Sequence, residues 1–454
     1  MNKNENSSDF DRRDFIKNSS LAALMAMMGG TELKAQTSAP STGGTVYTEI
    51  PVGPTVKFGV IGLGEWGREI LKTLALLPNA PVVALCDTYH ASLQRSAKEA
   101  PKAEKFEDYQ KLLASKDVEA VVIATPTHLH KQIVLDALAA GKHVYCEAPL
   151  ATTVADAKAI AAAAKAAVKV VFQPGLQERS HPQRGFLVPF IRGGAMGQNI
   201  MARAQWHKKG SWRRSSTNAE HEEELNYRIG KNGLGLAGEL GVHQFDVTSW
   251  FLKSRPTAVT GFGSIMLWKD GRTAPDTVQA VFEYPEGVRT MYDASLCASF
   301  ENAYEVYYGV DSTIMVRDEK AWLFKEVDAA LLGWEVYARK DQFYTETGIA
   351  LVANATKQSA IGQSATSNAF AYQPIYYALA SFTNNVGIVA REVSSYTENY
   401  GDDLSGLPET LSHLKLQPAA SWREGLDATV VAIKANEAIL AQQKVAIDSQ
   451  LFDL

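Results

Sequence analysis

A glycine-rich turn between a predicted strand and a predicted helix places the strongest constraint on the fold of this 454-residue chain. Residues 55–61 are mainly apolar and predict a buried strand, and the turn that follows at once is Gly62-Leu63-Gly64-Glu65-Trp66-Gly67. Helical periodicity comes next, and a second predicted strand, Val82–Cys86, ends directly before Asp87. A Gly-x-Gly-x-x-Gly turn in this context, with an acidic residue about 20 positions further on, is typical of a βαβ unit that binds a dinucleotide.

Each glycine of the turn answers a separate physical need. Gly62 permits the tight turn, Gly64 lets the backbone approach a pyrophosphate, and Gly67 allows close helix–strand packing. The pyrophosphate is expected at the helix N-terminus, where free N–H groups and the helix dipole favour an anion. Asp87 can accept hydrogen bonds from ribose hydroxyls and would repel a 2′-phosphate, so the sequence favours NAD over NADP. A glycine turn that binds no ligand is the alternative interpretation.

Strand and helix patterns continue to alternate up to residue 172, and then strands dominate. The predicted elements are strand 118–124, helix 129–140, strand 141–146, helix 154–167 and strand 169–172. Alternation of this kind predicts a doubly wound parallel sheet that binds ligands at the carboxyl ends of its strands. The later elements are predicted strands 256–266, 277–284, 287–295, 309–317 and 321–327 and predicted helices 375–382 and 424–443. Polar residues 354–369 predict a loop over the site, and residues 386–418 are predicted to be irregular.

Residues 1–39 predict an export signal and linker. Arg12 and Arg13 precede Phe15-Ile16-Lys17 and a short apolar stretch, residues 21–28. This arrangement resembles a Tat signal, which exports folded proteins, although Asp11 stands where Ser or Thr is usual. We therefore expect an exported, periplasmic protein that meets the Tat machinery. An amphipathic N-terminal helix is the alternative.

Composition argues against several other classes of protein. The net charge of −5 disfavours an electrostatic nucleic-acid binder. Three widely spaced cysteines predict neither a disulfide framework nor a cysteine-based zinc site. Apolar runs are too short for a membrane anchor, and the histidine spacings predict no metal site.

The order of the motifs resembles the Gfo/Idh/MocA family (glucose–fructose oxidoreductase, inositol dehydrogenase and a rhizopine-catabolism protein). Beyond the glycine turn, the resemblance rests on Ala124-Thr125-Pro126 with His130, on Gly141-Lys142-His143-Val144 before Glu147-x-Pro149, and on Gly238–Asp246. It implies an α/β fold, with a Rossmann domain at 55–178 and a C-terminal α+β domain at 179–443. The open, mainly antiparallel sheet of such a second domain binds substrate and often forms an oligomer interface, so a homo-oligomer is expected.

The resemblance and the glycine turn together predict the cofactor contacts. These residues are Gly62, Leu63, Gly64, Glu65, Trp66, Gly67, Asp87, Thr125, Pro126, His130, Glu147 and Gln177. Glu147 matches a glutamate that contacts the nicotinamide ribose. Ala148 departs from the family pattern, because a lysine usually stands there and assists proton transfer at the carbinol oxygen.

The family's Asp-x-Gly-x-His-x-x-Asp appears here as Glu239-x-Gly241-x-His243-x-x-Asp246. Hydride transfer from a carbinol needs a base, and His243 is the best candidate by residue type and motif. Glu239, four residues earlier, either orients His243 or binds a substrate hydroxyl, and a purely structural pair is the alternative. Tyr227 is either an acid/base or a packing residue. Asp246 either contacts substrate or supports the site.

Other candidate substrate residues are basic or aromatic. Trp206 and Trp212 can stack on a sugar, and Lys209 can bind oxygens or replace the missing lysine; a solvated basic loop is the alternative. Arg179 either faces the substrate or joins the two domains.

Three functions remain open on the sequence. The first is an NAD-dependent oxidoreductase acting on a sugar. The second is a glycosidase that oxidises, eliminates, hydrates and re-reduces with a tightly bound NAD, because no free NAD pool is expected outside the cytoplasm. The third is a non-catalytic protein that binds a sugar or NAD.

Overall fold

The computed structural model describes residues 52–318, 320–338, 340–343, 346–351 and 372–454. The predicted export signal (1–39) and polar loop (354–369) lie outside these residues and stay predictions. The described chain divides into two compact units. The larger contains residues 52–181, 204–303 and 372–454, and the smaller contains residues 182–203 with the described part of 304–351.

The helices and strands are numbered here in chain order. The strands are β1 (Phe58–Ile61), β2 (Val82–Cys86), β3 (Glu104–Phe106), β4 (Ala120–Ile123), β5 (His143–Cys146), β6 (Phe172–Pro174), β7 (Asn199–His207), β8 (Ala258–Ser264), β9 (Thr277–Glu283), β10 (Arg289–Ser295), β11 (Ala303–Gly309), β12 (Ser312–Arg317), β13 (Lys320–Lys325), β14 (Lys340–Phe343), β15 (Glu346–Ala350) and β16 (Lys444–Ala446). The α-helices are α1 (Glu65–Leu74), α2 (His90–Ser96), α3 (Tyr109–Ala114), α4 (His130–Ala139), α5 (Val154–Ala166), α6 (Pro182–Arg192), α7 (Ala219–Leu225), α8 (Val242–Leu252), α9 (Pro374–Tyr400), α10 (Leu407–Ser412) and α11 (Trp422–Ala441). Within the described residues, no helix has the length and apolar character needed to cross a bilayer.

A six-stranded parallel sheet with the order β3-β2-β1-β4-β5-β6 lies in the larger unit. Ile61, the last residue of β1, pairs with Cys86 of β2 and with Ile123 of β4. The carboxyl ends of these three strands are therefore level, and Gly62, Asp87 and Ala124 start from one edge. The strand order reverses at β1/β4, where doubly wound sheets open a ligand crevice. The predicted parallel sheet is confirmed, with its last strand starting three residues later than expected.

The remaining strands are mainly antiparallel. In the larger unit, the last residues of β7 are followed by β10, β9, β8 and β16 as successive neighbours. The smaller unit contains β11, β12, β13, β15 and β14 in that order. The pairs β8–β9, β9–β10, β11–β12 and β12–β13 are antiparallel. The predicted α/β fold class, with an open and mostly antiparallel second sheet, is confirmed.

Helix α9 covers one face of the parallel sheet. Phe382 is fully buried, with ring centroids 6.0 Å from Phe58 and 5.8 Å from Tyr145. The prediction of irregular structure over 386–418 was wrong, since α9 runs to Tyr400 and α10 follows. The polar residues of its second half lie largely exposed on a helix rather than in a loop. Asn385 is buried because its side chain bonds the N–H and C=O of Gln417.

Candidate active site

The glycine turn is held by sterics and by Asp87. Gly62 has φ of +91°, and a Cβ there would lie 2.7 Å from the backbone of Ala124. A Cβ on Gly67 would lie 1.9 Å from the carbonyl oxygen of Gly62, so the start of α1 packs directly on the turn. Gly64 faces open space. The Asp87 carboxylate accepts hydrogen bonds from the N–H of Leu63 at 2.7 Å and of Tyr89 at 2.8 Å. Burial raises the pKa of Asp87, and these two bonds oppose the shift.

A cavity of about 1270 Å³ lies over this turn. Its inner wall contains many of the predicted cofactor residues: Gly62, Gly64, Glu65, Trp66, Asp87, Thr125 and Pro126. Its outer wall is formed by residues 212–229, which lie around α7. A cavity of this volume suits a dinucleotide better than a single sugar.

The outer wall is attached to the inner wall at two points. Arg214 forms an ion pair with Glu65 at the start of α1. His221 of α7 stacks on Tyr89, with ring centroids 3.7 Å apart and planes 18° apart. No local sequence pattern predicts this stacked pair, because the two residues are 132 positions apart. The two contacts connect the two walls of the cavity.

Buried polar atoms without partners lie just beyond the carboxyl ends of β4, β5 and β6. Among the described residues, the Oγ1 of Thr125, the Oε1 of Glu147 and the Oε1 of Gln177 make no hydrogen bond. Burial raises the pKa of Glu147 to about 7, opposed by a hydrogen bond from Trp66 and the charge of Arg228. An unpaired buried acceptor costs free energy, so such atoms indicate missing donors. Ribose hydroxyls and a carboxamide supply them, and the site therefore fits a nicotinamide cofactor.

His130 lies behind this wall and does not line the cavity. Its Nδ1 is 3.1 Å from the carbonyl oxygen of Pro149, and its Nε2 is 2.9 Å from that of Thr125. Burial lowers the pKa of His130 to about 4. The structure shows His130 joining the loops after β4 and β5, and its direct contact with a cofactor stays a prediction.

Glu239 is the centre of a buried hydrogen-bonded cluster. It lies in a π-helical turn, Ala237–Gly241, directly before α8. Its carboxylate accepts hydrogen bonds from the Oη of Tyr227 at 3.2 Å, the Oγ1 of Thr127 at 3.3 Å and the N–H of Leu234 at 3.3 Å. In the described structure these donors, rather than His243, are the hydrogen-bond partners of Glu239. Burial raises the pKa of Glu239, and the charge of Arg228 opposes the shift.

His243 lies in the first turn of α8. Its Nδ1 is buried and, within the described residues, has no hydrogen-bond partner. Burial lowers the pKa of His243, the charge of Glu178 raises it, and that of Arg228 lowers it. A neutral imidazole with one unpaired nitrogen can accept a proton. Burial and the charge of Glu239 raise the pKa of Tyr227, so the phenol stays protonated and donates.

The predicted substrate residues fall into different settings. Arg179 forms an ion pair with the buried carboxylate of Asp246 in α8. Trp212 lines the cavity, and the ring centroids of Trp206 and Trp212 lie 6.2 Å apart. Lys209 is exposed, and its N–H bonds Ser299. Their contacts with a substrate stay predictions.

Sequence reasoning missed Arg228. Its Nε donates to the Oη of Tyr227 at 3.0 Å and lies 3.6 Å from the Oε2 of Glu239. The signal was present, because Arg228 directly follows Tyr227, but adjacency alone does not show that both side chains turn to one carboxylate. In the described structure no group of three or more His, Cys, Asp or Glu side chains is arranged to hold a metal ion.

Comparison with known proteins gives the family. Residues 56–174 match the model for an oxidoreductase family with an NAD-binding Rossmann fold. Residues 189–312 match the model for a GFO/IDH/MocA C-terminal domain. Together the two matches cover more than half of the chain.

Individual relatives agree over shorter stretches. An inositol 2-dehydrogenase of Salmonella paratyphi B is 30% identical over 200 residues, which are 44% of this chain and 55% of that protein. The match thus spans about half the length of this curated relative.

Solved structures show the same fold. An oxidoreductase domain protein from Kribbella flavida superposes with a TM-score of 0.66 at 19% identity, over 87% of this chain and all of that one. A levoglucosan dehydrogenase, solved with NADH and levoglucosan, superposes with a TM-score of 0.63 at 17% identity over the same shares. With its NAD-binding Rossmann domain and its matching C-terminal domain, the chain belongs to the Gfo/Idh/MocA oxidoreductase family.

Proposed function

We propose that the protein is an NAD-dependent oxidoreductase that transfers hydride at a carbinol carbon of a sugar or cyclitol. The observation that carries this proposal is the cluster of Tyr227, Arg228 and Glu239, of which Tyr227 and Arg228 line the cavity, together with the unpaired Nδ1 of His243. The inositol and levoglucosan dehydrogenases that the chain resembles act on polyols of this kind by name.

The residues divide the chemistry between them. Bound NAD supplies the hydride acceptor. Thr125, Glu147 and Gln177 would hold the nicotinamide ribose and carboxamide through their unpaired oxygens. His243 accepts the hydroxyl proton at Nδ1, and a base so placed contributes roughly 10²–10⁴-fold to the rate. Tyr227 remains protonated and donates a hydrogen bond.

A redox-neutral glycosidase is the second candidate. Ala148 favours it, because a small apolar residue stands where simple dehydrogenases of the family have a lysine. The contacts of Arg214 with Glu65 and of His221 with Tyr89, between the two cavity walls, also favour a retained cofactor, which a redox-neutral cycle requires. A non-catalytic binding protein is the third candidate, and the intact cluster around Glu239 and His243 argues against it.

Two wider proposals concern the cell and the assembly. We propose export through the Tat machinery to the periplasm, on the strength of residues 11–28. We also propose a homo-oligomer. Exposed apolar side chains on β8, β9 and β10 support it, namely Phe262, Val281 and Met291.

One assay tests the activity. The NAD-loaded protein is incubated with a panel of sugars, cyclitols and aryl glycosides, while reduced nicotinamide and released aglycone are followed together. Reduced nicotinamide that accumulates with added NAD supports the dehydrogenase. Aglycone release over many turnovers without net reduction supports the glycosidase and contradicts the dehydrogenase. Neither signal across the panel contradicts both.

A further inference from the structure

We infer that Arg228 is the fixed cation of the reaction centre and stabilises negative charge on the substrate oxygen. In this way it would replace the positive charge of the lysine that usually stands where this chain has Ala148. This inference deepens the proposed function and rests on it for the identity of the reacting group.

The first argument is position. The Nε of Arg228 lies 3.0 Å from the Oη of Tyr227 and 3.6 Å from the Oε2 of Glu239. The guanidinium therefore belongs to the same cluster as two of the predicted catalytic side chains. Its charge also acts on Glu147 and on His243, opposing the rise in the pKa of the first and adding to the fall in the pKa of the second.

The second argument is access. Arg228 lines the cavity, and 43% of its side chain remains exposed. Its Nε donates to the Oη of Tyr227, and within the described residues neither Nη group donates a hydrogen bond to another protein group. The guanidinium plane of Arg228 lies over two aromatic rings. Its Cζ is 5.8 Å from the ring centroid of Trp212 and 5.5 Å from that of Tyr227. Stacking of this kind orients a guanidinium while leaving its edge available.

The third argument is chemistry. When a carbinol is oxidised, its C–H leaves as hydride to the nicotinamide and its O–H proton goes to His243, so the C–O bond becomes a carbonyl. Negative charge develops on the oxygen to the extent that the proton departs first. Arginine cannot act as the acid, because it stays protonated at all working pH values. It can stabilise that charge, and loss of one such preorganised group typically costs about 10²–10³-fold in kcat.

Three other cations of residues 203–228 are less suited to this role. Arg213 is bound to the carbonyl oxygen of Asp270 and to Glu222, and Arg214 is paired with Glu65. Lys209 is exposed. Arg228 is thus the cation of this segment whose contacts lead to Glu239.

The test compares charged and neutral ligands. Wild type, Arg228→Lys, Arg228→Gln and the control Arg289→Gln, an exposed arginine on β10, are loaded with NADH. The probes are six-carbon aldonates (gluconate, galactonate and mannonate) and the matching alditols, with affinity measured by calorimetry. We expect wild type to prefer an aldonate over its alditol. Arg228→Gln is expected to lose about 10- to 100-fold of the aldonate affinity, with alditol affinity changed less than about three-fold.

Arg228→Lys is expected to keep part of the preference, and Arg289→Gln to keep all of it. Equal aldonate affinity in wild type and Arg228→Gln overturns the inference, and so does a wild type without any aldonate preference. NADH affinity and the thermal midpoint show whether each variant is folded. If Arg228→Gln does not fold, the test rests on Arg228→Lys, whose aldonate preference should be smaller than that of wild type. The test measures binding and needs no turnover. A protein that is inactive on every sugar would contradict the proposed function, whereas the aldonate and alditol affinities would still test the role of Arg228.

Discussion

Arg179 donates to both carboxylate oxygens of Asp246, from Nε at 2.9 and 3.0 Å and from Nη2 at 2.7 Å. The pair connects the 3-10 helix Gln177–Ser180, just after the parallel sheet, to α8. Because α8 also carries His243, this ion pair fixes the predicted base relative to the end of the sheet.

Replacing Arg179 with Met is expected to destabilise the protein by about 3–5 kcal/mol, because it leaves a buried carboxylate unpaired. Burial raises the pKa of Asp246 to about 6, and Arg179 opposes that rise. Without Arg179 the pKa of Asp246 rises further. The variant therefore loses more of its folding free energy than wild type does as the pH increases and Asp246 must ionise. Denaturant unfolding at pH 5 and pH 8 should show the larger loss at pH 8. A loss that is equal at the two pH values contradicts this account.

The glycines of the turn offer a matched pair of substitutions. Gly67→Ala puts a methyl group 1.9 Å from the oxygen of Gly62 and is expected to disrupt the turn and lower the thermal midpoint. Gly64→Ala meets nothing within 4 Å, so the protein should fold normally. It should nonetheless bind NAD more than about ten-fold more weakly, since the pyrophosphate approaches at that point. Normal NAD affinity in Gly64→Ala contradicts the assigned pyrophosphate position.

Glu147 makes NAD binding depend on pH. Its pKa of about 7 means that the carboxylate loses an acceptor site as the pH falls through 7. Since ribose hydroxyls are donors, NAD affinity should rise between pH 6 and pH 8 by up to about ten-fold. Calorimetry should show this rise in wild type and a flat profile in Glu147→Gln. A rise that persists in the variant assigns the titration to another group.

His243 is expected to serve as the base that accepts the hydroxyl proton and to have little effect on cofactor binding. His243→Ala should lower turnover by roughly 10²–10⁴-fold. Its NAD affinity, measured by quenching of tryptophan fluorescence, should stay within about three-fold of wild type. Full activity in this variant refutes the catalytic assignment.

Retention of the cofactor is expected to depend on the contacts between the cavity walls. The double variant Arg214→Ala/His221→Ala removes the ion pair with Glu65 and the stack on Tyr89. NADH should then dissociate about ten-fold faster, because stacking and a surface ion pair together contribute about 1–2 kcal/mol. Lys231→Ala, an exposed change in the following loop, is the control. Equal dissociation rates show that the walls do not hold the cofactor.

The sequence predicts most of the candidate cofactor-binding residues, because the patterns that mark them are local in the chain. The residues of the turn, Asp87, and the strand ends at Thr125 and Glu147 follow from periodicity and spacing, and the level ends of β1, β2, β4 and β5 bring them together. The pairing of Arg228 with Glu239 depends on a π-helical turn, for which no simple sequence signal exists. The stack of Tyr89 on His221 is a contact between distant segments.

Helix α9 was underestimated for a related reason. Its first half is apolar and its second half is polar, so a window on composition divides one continuous helix. Tertiary packing of Phe382 on the parallel sheet stabilises the first half, and this is information that local propensity does not contain.

The packing of α9 on the sheet also orders events during synthesis. All six parallel strands have left the ribosome once residue 174 has emerged, yet the face that receives Phe382 is completed only some 200 residues later. Until then Phe58 and Tyr145 lack their native cover, and the nascent nucleotide-binding half presents an apolar surface that chaperones recognise. A chain that stops before α9 is therefore expected to aggregate, although its nucleotide-binding motif is complete.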